Sequence, residues 1–464
     1  MNFGRLLFRL VQSVNNTKLP YDRIQKLQEK KLRRLLKYAY EHSAYYKRVF
    51  KENGIHKDNL ASMPLSAFPT LDKETLMEHF DELATAPELR QECLQQFDKS
   101  ASMEEKKYLG KYHIVHSSGS TGTPRYFVYD EKAWEQMLVG IVRGALWGMS
   151  LPQMLKLILQ KPKILYIAAT DGRYGGAMAV GDGIDGVGAF QMFLDINTPL
   201  TEWVRRIREF QPNIIIGYPS AVKILGELVE KKEVELQVVR VISCGEPLSH
   251  GMRHYMEKTF RCSVANFYGA SETLAMGVEL DEKEGMYLFD DLNLIEVVDG
   301  EMYVTVLYND SQPLIRYHIS DKLSLKELGQ EGKNICAFSK AEAVFGRNED
   351  VLWFEEPDGR REFLHPLAVE GFCVEGLLDY QFRQTDKDTF EMLAETTPEA
   401  DREKVRSELL KQVKQVLIDK QLFHINFFMR FVEKIEANPE TGKKQLIIKL
   451  EEREYETVSR EQAV

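Results

Sequence analysis

The middle of the chain alternates in kind, and that alternation narrows the fold more than any other feature. "KILYIAAT" (Lys163–Thr170), "NIIIGY" (Asn213–Tyr218) and "VVRVISCG" (Val238–Gly245) are short apolar runs rich in β-branched residues. Helix-like stretches follow some of them, such as "SAVKILGELVEKK" from Ser220. Repeated strand-then-helix order predicts a parallel or mixed sheet covered by helices. Ligands of such sheets sit at the carboxyl ends of the strands. The turns "GYPS" and "SCGEPLS" fall at those ends.

The flanking regions read differently. Leu27, Leu32, Leu35, Leu36, Ala39 and Tyr40 recur at near-helical spacing, which predicts a helix from about Tyr21 that stops at Gly54. The first residues, "MNFGRLLFRLVQSVNN", are amphipathic and interrupted by Arg5 and Arg9. They read as a packed or frayed terminal helix rather than a signal peptide. No apolar run is long enough to span a bilayer. "EMYVTVLYND" and "PLIRYHISDKLSL" read as strands of a more antiparallel region. A domain boundary is expected at "FGRNEDVLWF", giving a large domain over 1–346 and a small one over 347–464. Within the small one, a hairpin "VLWFEEPDGRREFLH", a helix from about Pro398 to Leu422 and a strand "INFFMRFVEKI" describe an α+β unit. The fold class is thus α/β: a large domain of mixed or parallel sheets with helices, plus a small, mobile C-terminal α+β domain.

At 464 residues the chain exceeds one typical core. Its 44% hydrophobic and 28% charged residues are ordinary for a globular enzyme. A formal net charge of -10 argues against nucleic acid as a partner. The five cysteines are widely spaced and form no Cys-x-x-Cys pair, so neither a disulfide framework nor a structural zinc site is indicated. A reducing, cytoplasmic setting fits that usage.

The stretch "HSSGSTGTPRY" from His116 to Tyr126 concentrates hydroxyls and glycines and then adds a proline and a cation. Loop residues of this kind occur in any solvated turn. They also suit a phosphate-gripping loop, in which backbone N–H groups, hydroxyls and a cation close around an anion. The stretch lacks the Gly-Lys-Ser/Thr ending of a nucleoside-triphosphatase P-loop. It resembles instead the Ser/Thr-Ser-Gly-Thr-Thr-Gly-x-Pro-Lys signature of the adenylate-forming superfamily of acyl- and aryl-CoA ligases. "NFYGASE" (Asn266–Glu272), "IRYHISDKL" (Ile315–Leu323), "FGRNEDVL" (Phe345–Leu352) and "NPETGKK" (Asn438–Lys444) resemble that superfamily's later motifs, in the same order. "KLRRLLKYAYEHSAYYKRVF", "SCGEPLS" and "PLIRYHISD" resemble more narrowly the phenylacetate–CoA ligase-like branch, which includes proteins of capsular-polysaccharide loci.

The resemblance implies ATP-dependent activation of a small carboxylic acid as an acyl-adenylate, with ATP and Mg²⁺ as cofactors. Ser117, Ser118, Gly119, Ser120, Thr121, Gly122 and Thr123 would cradle the phosphates, with Arg125 where the family commonly has lysine. Glu272 would help hold Mg²⁺, a hard cation that prefers oxygen. Gly245, Glu246 and Pro247 would line the adenine with Tyr268, next to Gly269 and Ser271. Asp321 would take the ribose hydroxyls, and Arg347 the ribose or phosphate from the hinge side. Lys443, directly after Gly442, would bridge the attacking carboxylate and the α-phosphate and then swing away. The acid pocket would include Tyr174, Gly175, Gly176, Tyr218, Pro219 and Ala270. No Asp or Glu stands ready for an amino group, which disfavours a simple amino acid.

Three departures qualify the pattern. Glu349 stands at the hinge where Asp or Lys is common. The stretch "GVELDEKEGMYLFDD" has neither Cys nor His, so the zinc cluster of some relatives is not expected. A polar hairpin follows the hinge in place of a Gly-rich loop lining the thiol tunnel. CoA is the acceptor by resemblance, and a carrier-protein thiol, a sugar or an amine is the alternative. A nucleotide-binding module without catalysis, and a homodimer, stay open. His113, His116 and His318 read as packing residues, because a carboxylate already ionised at neutral pH needs no imidazole base.

Overall fold

The computed structural model describes residues 3–100, 107–116, 125–169, 175–183, 189–248, 250–281, 284–326, 336–345, 352–355, 361–364, 369, 372, 374–397, 399–435 and 446–448. A nine-stranded mixed sheet organises them. Its spatial order is Lys322–Lys326, Lys340–Phe345, Met286–Leu288, Gly277–Glu279, Val264–Tyr268, Arg240–Cys244, Ile214–Gly217, Lys163–Ala168 and Phe190–Asp195. The last five of these are mutually parallel and the others antiparallel. The three apolar runs that predicted a helix-covered sheet are thus neighbouring parallel strands.

Period-two alternation sorts their side chains onto two faces. Leu165, Ile215, Val241 and Val264 point into one apolar cluster, shared with Trp203 and Ile207 of helix Leu200–Phe210 and with Val222 and Leu225 of helix Pro219–Glu230. Ile214, Ile242 and Ala265 belong to the opposite cluster, with Trp134 and Leu138 of helix Glu131–Leu146. Gly217 is required where two strands meet, because a Cβ there would lie 2.3 Å from the Ile167 carbonyl oxygen.

Strand Lys163–Ala168 is first of the parallel set in sequence, yet it has a neighbour on each side: Phe190–Asp195 and Ile214–Gly217. Chain order therefore reverses beside it, the position at which sheets of this class bind ligands at the carboxyl ends. Smaller antiparallel sheets adjoin. Tyr112–His116 pairs with Tyr126–Asp130, ending at His116 opposite Tyr126. Asn293–Val298, Glu301–Val306 and Tyr317–Ile319 form a three-stranded sheet, as expected of that region.

Two helices differ from expectation. The helix expected from Tyr21 to Gly54 divides into Tyr21–His42 and Ala44–Glu52. Ser43 is extended, and its hydroxyl accepts the Tyr46 N–H, so a capping serine overrides the continuous apolar stripe. The C-terminal helix is Arg402–Asp419, shorter than Pro398 to Leu422, because Asp401 caps it by accepting from the Glu403 and Lys404 N–H groups. The first helix, Phe3–Asn16, is packed: Arg5 and Arg9 pair with the buried carboxylate of Glu135. No described helix is long and apolar enough to cross a membrane.

The C-terminal elements are a hairpin, Leu352–Glu355 with Arg361–Leu364, and a four-stranded sheet. That sheet runs Asn426–Val432, Thr389–Thr396, Leu377–Asp386, Ile447–Ile448. Phe390, Met392 and Ala394 join the same cluster as helix Leu200–Phe210, so this core continues past the expected boundary at 346/347.

Candidate active site

Four consecutive parallel strands deliver site residues at their carboxyl ends. After Lys163–Ala168 comes helix Gly175–Gly183, after Ile214–Gly217 come Tyr218 and Pro219, after Arg240–Cys244 come Gly245 to Pro247, and Tyr268 ends its own strand. Pro219 opens helix Pro219–Glu230 in the first turn, where its missing N–H costs nothing.

Gly245 has φ +82°, and a Cβ on it would lie 2.5 Å from the Tyr218 ring. The adenine and acid-pocket expectations therefore meet in one contact. The Glu246 carboxylate accepts from the Ser220 N–H at 3.1 Å and from the Ser220 hydroxyl at 2.9 Å. It serves the start of helix Pro219–Glu230, a duty the sequence reading did not foresee. Cys244 is half-buried, and desolvation pushes its thiol up to about 12, which keeps it protonated at neutral pH.

The segment from Tyr268 to Leu274 is a tight turn between antiparallel strands. Ala270 oxygen accepts the Thr273 N–H at 3.0 Å and the Leu274 N–H at 2.7 Å. Tyr129 donates its hydroxyl to the Ser271 carbonyl at 3.0 Å, and Tyr308 holds the Thr273 carbonyl. Leu274 lies against Gly175, so the turn also braces helix Gly175–Gly183, while the Tyr166 hydroxyl sits over Gly176.

This bracing presents Glu272 to Arg125, with Oε1 3.8 Å from Nη1. Arg125 Nη1 also donates to the Tyr317 hydroxyl at 3.5 Å. The Glu272 side chain is 12% exposed, and burial pushes its carboxyl above the usual range. A backbone hydrogen bond and Arg125 pull it back, and Asp321 adds to the push. A desolvated carboxylate of this kind gains from a cation. One carboxylate plus substrate phosphates is an ordinary magnesium set, so the residues fit that ion. Tyr268 donates its hydroxyl to Asp321 Oδ2 at 2.9 Å. Burial and then Asp321 hold the Tyr268 phenol well above its ordinary value, so it remains a donor.

Arg125–Glu272 and Tyr268–Asp321 are therefore two contact pairs, linked along the chain by the turn from Tyr268 to Glu272, which also carries Gly269, Ala270 and Ser271. Ser117, Ser118, Gly119, Ser120, Thr121, Gly122, Thr123, Tyr174, Arg347 and Lys443 lie outside the described residues. Sequence reasoning missed Tyr129 and Tyr317, which steady the turn and the cation. Tyr317 sits inside the "IRYHISD" motif, where an aromatic beside the aspartate was the available signal. Among the described residues, no group of three or more His, Cys, Asp or Glu could hold a metal ion. His113 stacks on Trp134 at 4.3 Å and lies 3.3 Å from Asp182, and His318 pairs with Glu301 at 3.0 Å.

No family model matches the chain. It is 25% identical over 72% of its length to the phenylacetate-coenzyme A ligase of Thermus thermophilus, covering 72% of that protein. It is 23% identical to Protein CapK of Staphylococcus aureus, over 91% of this chain and 88% of that one. In fold it is similar to 2-hydroxyisobutyryl-CoA ligase bound to 2-HIB-AMP and CoA, with a TM-score of 0.59 at 17% identity, covering 97% of this chain and 94% of that one. The chain is thus similar in sequence to phenylacetate-coenzyme A ligases and to CapK, and similar in fold to 2-hydroxyisobutyryl-CoA ligase.

Proposed function

We propose that the chain activates an organic carboxylic acid with ATP as an acyl-adenylate and then transfers the acyl group to an acceptor. A carboxylate oxygen bonds to the α-phosphorus, the bond to the β-phosphate breaks, and pyrophosphate leaves. In the second step the acceptor's nucleophile attacks the acyl carbon and AMP leaves with the electron pair. Both partners of the first step are anions, so the barrier falls when fixed cations and dipoles meet the charge developing on phosphate. The observation that carries this reading is the two contact pairs Arg125–Glu272 and Tyr268–Asp321, linked by the turn that follows strand Val264–Tyr268 at its carboxyl end.

In this reading Arg125 and the loop 117–123 bind the phosphates, and Asp321, oriented by Tyr268, binds the ribose. Gly245 to Pro247 and Tyr268 line the adenine. Tyr218, Pro219, Gly175, Gly176, Tyr174 and Ala270 bound the acid. Glu272 would hold Mg²⁺, which supplies charge neutralisation on the phosphates. Lys443 provides the mobile cation, and Arg347 contacts the ribose or phosphate. CoA is the acceptor favoured by the relatives' names. The polar hairpin that replaces a Gly-rich loop favours a carrier-protein thiol, a sugar or an amine as the second reading.

The test is acid-dependent ATP–pyrophosphate exchange over a panel of aryl, fatty and hydroxy acids. At least one acid should drive exchange, and Lys443→Ala should abolish it while ATP still binds. ATP binding with no exchange for any acid would favour a nucleotide-binding module instead. Mass spectrometry of products, with CoA, carrier protein and small amines offered together, identifies the acceptor.

A further inference from the structure

A buried ion pair ties the C-terminal elements to a helix of the large sheet. Glu362, on hairpin strand Arg361–Leu364, accepts the Leu200 N–H through Oε2 at 2.8 Å. Its Oε1 accepts from Lys420 Nζ at 3.2 Å and from the Phe363 N–H at 3.0 Å. Lys420, just past the end of helix Arg402–Asp419, donates also to the Thr198 carbonyl at 3.2 Å and stands 3.5 Å from the Phe363 ring centre. Phe363 meets Trp203 edge-on at 5.4 Å. Glu362 is 6% exposed and Lys420 1%.

Helix Leu200–Phe210 has Pro199 before it and no side-chain cap of its own. The carboxylate of Glu362 fills that role from the far side of the expected domain boundary, where a negative charge also suits the helix dipole. The same helix feeds strand Ile214–Gly217, whose end carries Tyr218 and Pro219. Two nearly buried ions with matched partners make a contact that is either formed or broken, since a partial separation leaves each charge dry and unpaired.

We propose that Glu362 and Lys420 are positioning residues that clamp the hairpin and the C-terminal sheet onto helix Leu200–Phe210, defining a discrete docked arrangement of the two parts. The kinetic consequence rests on the two-step reading above: one step uses the docked arrangement, and the other requires its release. Loosening the clamp then shifts the ratio of adenylate formation to acyl transfer. The clamp itself stands apart from that reading.

The experiment uses the full chain. An amide has one acceptor oxygen where this carboxylate uses both, so E362Q should speed hydrogen exchange of the Leu200 amide at least tenfold. Amides of helix Pro219–Glu230 should stay as in the wild type. K420M should do the same, through the loss of its bond to Glu362. If either single variant fails to fold, E362Q/K420M, which leaves no stranded ion, gives the same reading at Leu200. Wild-type protection of Leu200 in the foldable variants overturns the clamp. In the activity arm, the ratio of acid-dependent exchange to transfer from preformed adenylate should move at least tenfold, in the same direction for both variants. Equal loss of both steps overturns the positioning role. Absence of exchange with every acid removes the functional reading, while the Leu200 measurement still decides the clamp.

Discussion

Tyr268 and Asp321, 53 residues apart in sequence, share a 2.9 Å hydrogen bond. The phenol donates and the carboxylate accepts, which fixes one oxygen of Asp321 and leaves lone pairs for a ligand. Y268F should weaken ATP binding by about five- to tenfold, the value of one hydrogen bond of about 1 kcal/mol. D321N should cost ATP more than it costs 2′-deoxy-ATP if the carboxylate reads ribose hydroxyls. Calorimetric titration with the two nucleotides checks both, and equal losses would remove the ribose role.

Glu272 should govern the metal requirement. E272Q should lower exchange activity on the order of a hundredfold and raise the Mg²⁺ concentration needed, as loss of a charge-stabilising group does. ATP binding without metal should stay near wild type. Because burial raises the Glu272 carboxyl, its protonation on lowering pH begins above the ordinary carboxylate range. Activity should therefore fall on the acid side, and saturating Mg²⁺ should move that fall to lower pH by competing with the proton. Rate–pH profiles at two Mg²⁺ concentrations show this.

Gly245→Ala should disturb the site without touching a charged group. The new methyl would sit 2.5 Å from the Tyr218 ring at a φ of +82°. The strained backbone and the clash together should cost about 1–3 kcal/mol. Adding Tyr218→Ala should recover the clash part and leave the backbone part, which denaturant unfolding of the single and double variants separates.

Arg143 and Asp291 form a buried pair, with contacts of 2.7 and 2.9 Å. The guanidinium also stands 4.5 Å from the Phe289 ring centre and 5.2 Å from that of Phe338. R143M should destabilise the chain by about 3–5 kcal/mol, because it strands the carboxylate. The double variant R143M/D291N should regain part of that, measured by urea unfolding.

Neighbouring Asp290 should give stability a pH slope of its own. Burial pushes its carboxyl up to about 6 from 3.8, against the Ser339 backbone N–H and Arg143, and Asp291 adds to the rise. A carboxyl raised on folding contributes stability fully below the unfolded value and loses it as pH rises through about 6. The unfolding free energy of wild type minus D290N should fall by roughly 2 kcal/mol between pH 4 and pH 7. A flat difference over that interval would show that Asp290 does not titrate there.

Much of the architecture was legible because its signals are local. Alternating β-branched runs gave the parallel strands, and the turns after Gly217 and Cys244 lie at the carboxyl ends where sheets of this class bind ligands. Motif order singled out Arg125, Tyr268, Glu272 and Asp321, which form the two contact pairs Arg125–Glu272 and Tyr268–Asp321. Period-based reading failed at Ser43, where one hydroxyl bond to a backbone N–H ends a stripe that is otherwise continuous.

The sequence by itself determined which segments alternate, which residue types could meet a nucleotide, and in what order they occur, since each of those depends on near neighbours in the chain. Only the tertiary structure decided that Arg125 faces Glu272, that Tyr317 and Tyr129 steady them, that Glu246 serves a helix start, and that Glu362 reaches Leu200. Those pairings join residues distant in sequence, and their strength comes from the low dielectric that packing creates around them. No local pattern encodes that environment.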